Sequence, residues 1–172
     1  MSIFPTKILL ATDGSKDAEL ARTTAVDMAT TTDSELHVVI VASSLPPYDG
    51  YHCHDVRIPE VVEQLRKRAQ IILDEQVQKI ERDGGKVAQN HLKIAKLIGE
   101  RHRAQQILRV AEDIDAGLIV LGTRARGGVR RALMGSVCDT VVRHAHCPVL
   151  VVRHEKKRAA GWVSYSRYTP TP

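Results

Sequence analysis

The segment GLIVLGTRARGGVRRALMGSVCDTVVRHAHCPVLVV, from Gly117 to Val152, decides the fold. Its first five residues, Gly117 to Leu121, are an apolar run too short for a helix and read as a strand buried on both faces. Gly122 to Met134 is a loop rich in glycine and arginine. A helix begins at Ser136 and runs to about His146, with Val137, Val141 and Val142 on its apolar side. Cys147 to Val152 is again short and β-branched, a second strand. Two strands joined through a helix lie parallel, because a hairpin is too short to return the chain to the same edge.

The alternation extends towards the N-terminus. Lys7 to Thr12 (KILLAT) is a buried strand that ends at the turn and cap cluster Asp13-Gly14-Ser15. A helix follows from about Lys16 to Thr30, with Leu20, Ala21, Thr24 and Met28 on one face. Glu35 to Ala42 is a second strand. Ser43 to Pro59 is a long loop, broken by Pro46-Pro47, Asp49-Gly50 and Pro59. Glu60 to Arg82 is a helix with a stripe that includes Leu65, Ala69, Ile72, Leu73 and Ile80. Asp83-Gly84-Gly85 ends it with a left-handed cap. A third strand falls around Asn90 to Leu97, and a helix from Ala104 to Ala116 turns Ile107, Leu108, Ala111 and Ile114 inward. Five strands alternating with helices predict an α/β fold, an open doubly wound five-stranded parallel sheet with helices on both faces. Ligands of such sheets bind beyond the carboxyl ends of the strands, where the strand order reverses.

Composition narrows the class. With 172 residues, the chain is sized for one domain. Hydrophobic residues reach 43% while aromatics are only 3%, so the core is built from Val, Ile, Leu and Ala. The apolar runs are strand-sized, which predicts no membrane span. Met1 to Leu10 lacks the pattern of a secretory leader, and the three cysteines (Cys53, Cys138, Cys147) form no disulfide framework; together they predict a cytoplasmic protein. The formal charge is +5, of which the stretch from Arg153 to Pro172 holds +4 and the rest only +1. The basic character therefore belongs to the C-terminal tail and does not argue for a nucleic-acid-binding fold. The chain divides into a domain over residues 1–153 and a basic tail over 154–172, which holds Trp162, Tyr165 and Tyr168.

Two segments meet at the predicted crevice. One is Ala11 to Ser15, after the first strand. The other is Gly122 to Ser136, after the fourth, and it has the properties of a phosphate cradle. Its glycines let backbone N–H groups approach an anion, the helix start adds unpaired N–H groups, and Arg124, Arg126, Arg130 and Arg131 supply guanidinium forks. It is neither a Walker A loop, lacking Lys-Ser/Thr after the glycines, nor a dinucleotide fingerprint. The plain alternative is a turn with a solvated arginine run. Asp13 and Ser136 read equally as helix caps. His52-Cys53-His54-Asp55 lacks a second ligand pair at zinc-like spacing and reads as a solvated loop. Cys138 and Cys147 read as packing residues.

The run Val120 to Arg153 resembles the C-terminal signature of the universal stress protein family, and KILLATDGS (Lys7 to Ser15) resembles that family's first strand and loop. Ile107 to Gly122 is similar to its helix and fourth strand. The resemblance covers Lys7 to Arg153. It implies a Rossmann-like sheet of order 3-2-1-4-5 and a homodimer joined through the last strand, here Val149 to Val152. It implies binding of ATP, or of ADP or AMP, with Mg or Mn bridging the phosphates and no protein-made metal site. The family's ATP-binding pattern, Gly-x-x-Gly, nine residues, Gly-Ser/Thr, places Gly122 first and Gly135-Ser136 last, with Ala125 where the second glycine belongs. Carried over residue by residue, Thr12 and Asp13 line the ribose and base, Val41 lies beside the adenine, and Leu121 and Gly122 pass under the ribose. Arg124, Ala125, Gly135, Ser136 and Val137 border the phosphates. No catalytic residue is assigned. The function implied is a nucleotide-binding regulatory protein of the stress response with an unknown protein partner. Two alternatives stay open: a dimeric interaction module that has lost the nucleotide through Ala125, and a slow ATPase.

Overall fold

The computed structural model describes residues 6–43, 58–95, 100–123 and 135–153. Nine elements follow one another: β1 (Lys7–Ala11), α1 (Lys16–Thr32), β2 (Glu35–Ser43), α2 (Ile58–Arg82), β3 (Val87–Ala95), α3 (Glu100–Asp113), β4 (Leu118–Gly122), α4 (Ser136–His144) and β5 (Val149–Val152). All neighbouring strands are parallel and the sheet order is β3-β2-β1-β4-β5. The doubly wound fold and its strand order are therefore as expected. The order reverses between β1 and β4.

Side chains alternate across each strand, and the two faces collect separate cores. Ile8, Leu10, Val38, Ile40 and Val120 pack under α1 and α2. Leu9, Ala11, Val39, Ile119 and Leu121 pack under α3 and α4. Helix α1 comes down on Ala18, Ala21, Ala25 and Ala29, all buried, while Leu20, Thr24 and Met28 are half-buried. The inward face is thus rotated from the predicted stripe, because the small alanines, not the larger side chains, let the helix approach the sheet. In α3, Ile107, Leu108 and Ala111 are buried as expected, as is Ile114 just beyond it.

Several boundaries differ for local reasons. Helix α2 starts at Ile58, so Pro59 lies in its first turn, where no backbone N–H is required. Strand β3 runs Val87–Ala95, not 90–97, and its exposed Ala88, Gln89 and Asn90 carry no apolar signal. As an edge strand it is set by backbone pairing to β2. Helix α3 begins with the polar turn Glu100 to Arg103 and ends at Asp113, before left-handed Asp115 (φ 54°). The Asp83-Gly84-Gly85 stop is present, with Gly84 at φ 83°.

β1 last pairs at Ala11 with Val39, whereas β2 and β3 stay paired to Ser43 and Ala95. The β2–β3 ribbon thus overhangs the end of β1 by about 13 Å, at 3.3 Å per residue. That overhang carries Val41.

Candidate nucleotide-binding crevice

The crevice is built where β1 and β4 end side by side, with Ala11 opposite Leu121. On the β1 side the chain makes a sequence of tight local bonds. The Thr12 N–H donates to the Val39 carbonyl at 3.0 Å, extending the ladder by one step. The Thr12 hydroxyl accepts from the Gly14 N–H at 3.2 Å. An Asp13 carboxylate oxygen accepts from the Ser15 N–H at 3.0 Å, an Asx turn. The Ser15 hydroxyl then caps α1 by accepting from the Ala18 N–H. Ser15, and not Asp13, is therefore the cap: its extended backbone and its place three residues before Ala18 satisfy the geometry. Thr12 is buried and Asp13 half-buried.

Gly14 has φ 72°, and a Cβ built on it would lie 2.6 Å from Cγ2 of Ile72. Glycine is required here both for its dihedral and for the close approach of α2. Neither reason is visible in the local sequence.

On the β4 side, Leu121 is buried and Gly122 half-buried. The Thr123 N–H donates to the Val152 carbonyl at 3.0 Å. The Cys138 thiol donates to the Gly122 carbonyl at 3.2 Å, which ties the first turn of α4 to the end of β4. Cys138 is buried, as expected, but this bond gives it a second role that sequence reasoning missed. Cys147 is half-buried; burial, and then the charge of Asp115, push its thiol above the ordinary range, which suits packing rather than reactivity.

Gly135 is the N-cap of α4 and makes no side-chain cap bond. Ser136 is the first helical residue and is exposed, so it is not the cap. Its hydroxyl and the first-turn N–H groups stand at the positive end of the helix dipole. Val137 is half-buried against the α3–α4 core. Asp139, in the same turn, pairs with Arg143 at 2.9 Å and offsets part of that positive potential.

Thr12 and Asp13 thus follow the end of β1, Leu121 and Gly122 end β4, Gly135, Ser136 and Val137 open α4, and Val41 lies on the overhang of β2. Arg124 and Ala125, with Arg126, Arg130 and Arg131, lie outside the described residues, as do His52 to Asp55 and the tail 154–172. Among the described residues no cluster of three His, Cys, Asp or Glu is arranged to hold a metal ion, and no helix is long and apolar enough to cross a membrane. Two open polar grooves flank the N-terminal end of β3, one lined by Val77, Glu81 and His91, the other by Lys7, Glu35 and Asp113. They lie at the opposite end of the sheet from the crevice, and the geometry of the switch point, not the size of these grooves, directs attention to the crevice.

A parallel sheet of order 3-2-1-4-5, with an Asp-Gly-Ser turn after β1 and a glycine-capped helix after β4, defines the class of doubly wound Rossmann-like α/β folds, whose ligand crevice lies at the switch point. The chain belongs to the universal stress protein family, whose model matches residues 5–153. It is 33% identical over 151 residues to a universal stress protein of Methanocaldococcus jannaschii, covering 88% of this chain and 84% of that one. A crystal structure of a family protein from Burkholderia pseudomallei superposes with a TM-score of 0.64 at 28% identity, over 87% of this chain and 96% of that one. Two more distant structures share the fold. One, from Archaeoglobus fulgidus, is in complex with dAMP (TM-score 0.58, 23% identity, 86% and 98% coverage). The other is a universal stress protein in complex with cAMP (TM-score 0.62, 19% identity, 87% and 97% coverage).

Proposed function

We propose that this chain is an adenine-nucleotide-binding regulatory protein of the stress response, working in the cytoplasm as a homodimer. One observation carries the reading: the Thr12–Ser15 loop and the Gly135–Val137 helix start flank the point where the strand order reverses. An anion there meets first-turn N–H groups and the Ser136 hydroxyl, and a base beyond β1 meets Val41 on the overhang. The dAMP and cAMP complexes of two fold neighbours support an adenine nucleotide as the ligand class. ATP, with Mg or Mn held by its own phosphates, is the form that the family's glycine pattern implies, although Ala125 stands where its second glycine belongs, and ADP and AMP are the alternatives.

Strand β5 supports the dimer. It is one of the two sheet edges, all four of its residues are half-buried, and both faces carry apolar side chains. An edge of this kind invites pairing with a second copy.

Calorimetric titration of nucleotide-stripped protein with ATP and magnesium tests the reading. Gly135→Asp is the informative variant. Gly135 has φ −51°, so a side chain is conformationally allowed, and aspartate is a favourable cap. The helix should survive while a carboxylate occupies the phosphate position. Saturable binding lost in Gly135→Asp supports the proposal. Binding absent in the native protein but restored by Ala125→Gly supports the interaction-module alternative.

A further inference from the structure

Gln76 lies in the C-terminal half of α2 and is 1% exposed, yet its amide oxygen Oε1 has no hydrogen-bond partner among the described residues. A buried, unpaired carbonyl oxygen is costly, and a native protein that keeps one has a use for it. Its surroundings indicate the use. The Gln76 Nε2 lies 3.9 Å from the position a Cβ on Gly14 would take, and Ile72, one helical turn earlier, lies against the same glycine. The amide is therefore directly behind the Thr12–Ser15 loop.

One N–H of the loop is held less tightly than the others. The Gly14 N–H reaches the Thr12 hydroxyl at 3.2 Å, long for a hydrogen bond. Thr12 and Asp13 are the residues that would face the nucleotide's sugar and base. A ligand that engages the Thr12 hydroxyl competes with Gly14 for it. A half-turn of the terminal amide torsion exchanges Oε1 and Nε2 and presents an acceptor towards Gly14.

We propose that Gln76 is a positioning residue for the nucleotide loop. With Ile72 it sets the height of Gly14, and its amide oxygen takes up the loop N–H that a ligand displaces from Thr12. The inference rests on the nucleotide-binding reading for its second half only; the support of Gly14 applies to the empty protein as well. Through it, α2 registers whether the crevice is filled.

The test compares wild type, Gln76→Met and Gln76→Glu as full-length proteins, by thermal melting, amide hydrogen exchange at Gly14 and Ser15, and titration with Mg-ATP. Methionine conserves volume and removes the orphaned oxygen. Gln76→Met is expected to melt no lower than wild type, to exchange at least tenfold faster at Gly14 once Mg-ATP is bound, and to bind ATP at least fivefold more weakly. Stability kept while loop order and affinity fall is a combination that a packing residue does not produce. Unchanged exchange at Gly14 and Ser15 in both variants overturns the proposal, whatever ATP does. Altered exchange in a protein that binds no ATP retains the positioning role and rejects the nucleotide reading. Gln76→Glu keeps an acceptor, and its exchange should lie between the other two; exchange faster than Gln76→Met counts against an acceptor role.

Discussion

The thiol of Cys138 donates a hydrogen bond to the carbonyl of Gly122 across sixteen residues of chain. The bond joins the two ends of the glycine-rich loop, the last residue of β4 and the first turn of α4. It fixes the span that the loop must bridge, and so the distance between the backbone groups that would receive a phosphate.

Cys138→Ala removes the thiol and leaves a small cavity, because the residue is 3% exposed. The expected loss is about 1–2 kcal/mol in urea denaturation. Cys138→Ser retains a donor of similar reach and should hold ATP affinity closer to wild type than alanine does. Equal affinities for the two variants would separate the thiol from the loop's geometry.

Gly14→Ala and Gly84→Ala separate backbone strain from crowding. Both glycines have positive φ, 72° and 83°. A Cβ on Gly84 meets nothing within 4 Å, whereas one on Gly14 runs into Ile72. Gly84→Ala should cost about 1 kcal/mol, the left-handed penalty alone. Gly14→Ala should cost about 2–4 kcal/mol, the same penalty plus displacement of α2. Ile72→Ala in the Gly14→Ala background should recover only the second part, measured by a double-mutant cycle.

Arg22 is buried and bridges Asp83, at the end of α2, and Glu19, one turn back on α1. Burial works against its charge, but the hydrogen bonds it donates to the Asp83 and Glu19 carboxylates outweigh this and hold its pKa above the ordinary value. Its Nε remains unpartnered among the described residues. Removing a partner leaves a buried charge under-paired, so Asp83→Asn should cost about 1–3 kcal/mol. Arg22→Met removes the charge itself and should change stability by less than about 1 kcal/mol. Urea midpoints of the two variants check the order.

His91 on β3 stacks on His37 of β2, with 3.4 Å between Nε2 and Nδ1. Burial first, then the charges of His37 and Lys93, lower its pKa from the ordinary 6.5, against a smaller opposing effect of Asp113. Glu35 faces the far side of His37. The folded state resists the proton that the unfolded chain accepts. Stability is therefore complete above pH 6.5 and falls as pH drops from there towards the lower folded value. His91→Gln should flatten this window. Glu19, held low mainly by its hydrogen bond to Arg22, loses its contribution only in a separate, more acid range, as pH falls below 4.5 through its folded pKa. Urea midpoints at pH 7.5, 6.5 and 5.5 for wild type and His91→Gln give the comparison.

The alternation of strand and helix was legible from residue order alone, and so were the turn after β1 and the start of α4 at Ser136. Both are local properties. Runs such as Leu118 to Leu121 bury on both faces whatever lies beside them, and Asp13-Gly14-Ser15 and Gly135-Ser136 punctuate the chain by their own backbone preferences. The polar edge strand β3 and the polar first turn of α3 were misplaced because their positions come from pairing and packing, with no apolar run to mark them. The placing of Ile72 and Gln76 behind Gly14, and of Cys138 against Gly122, was decided only by the tertiary structure. Those residues meet because helices settle at the spacing that their small and large side chains permit on the sheet, and that spacing is a property of the packed layers.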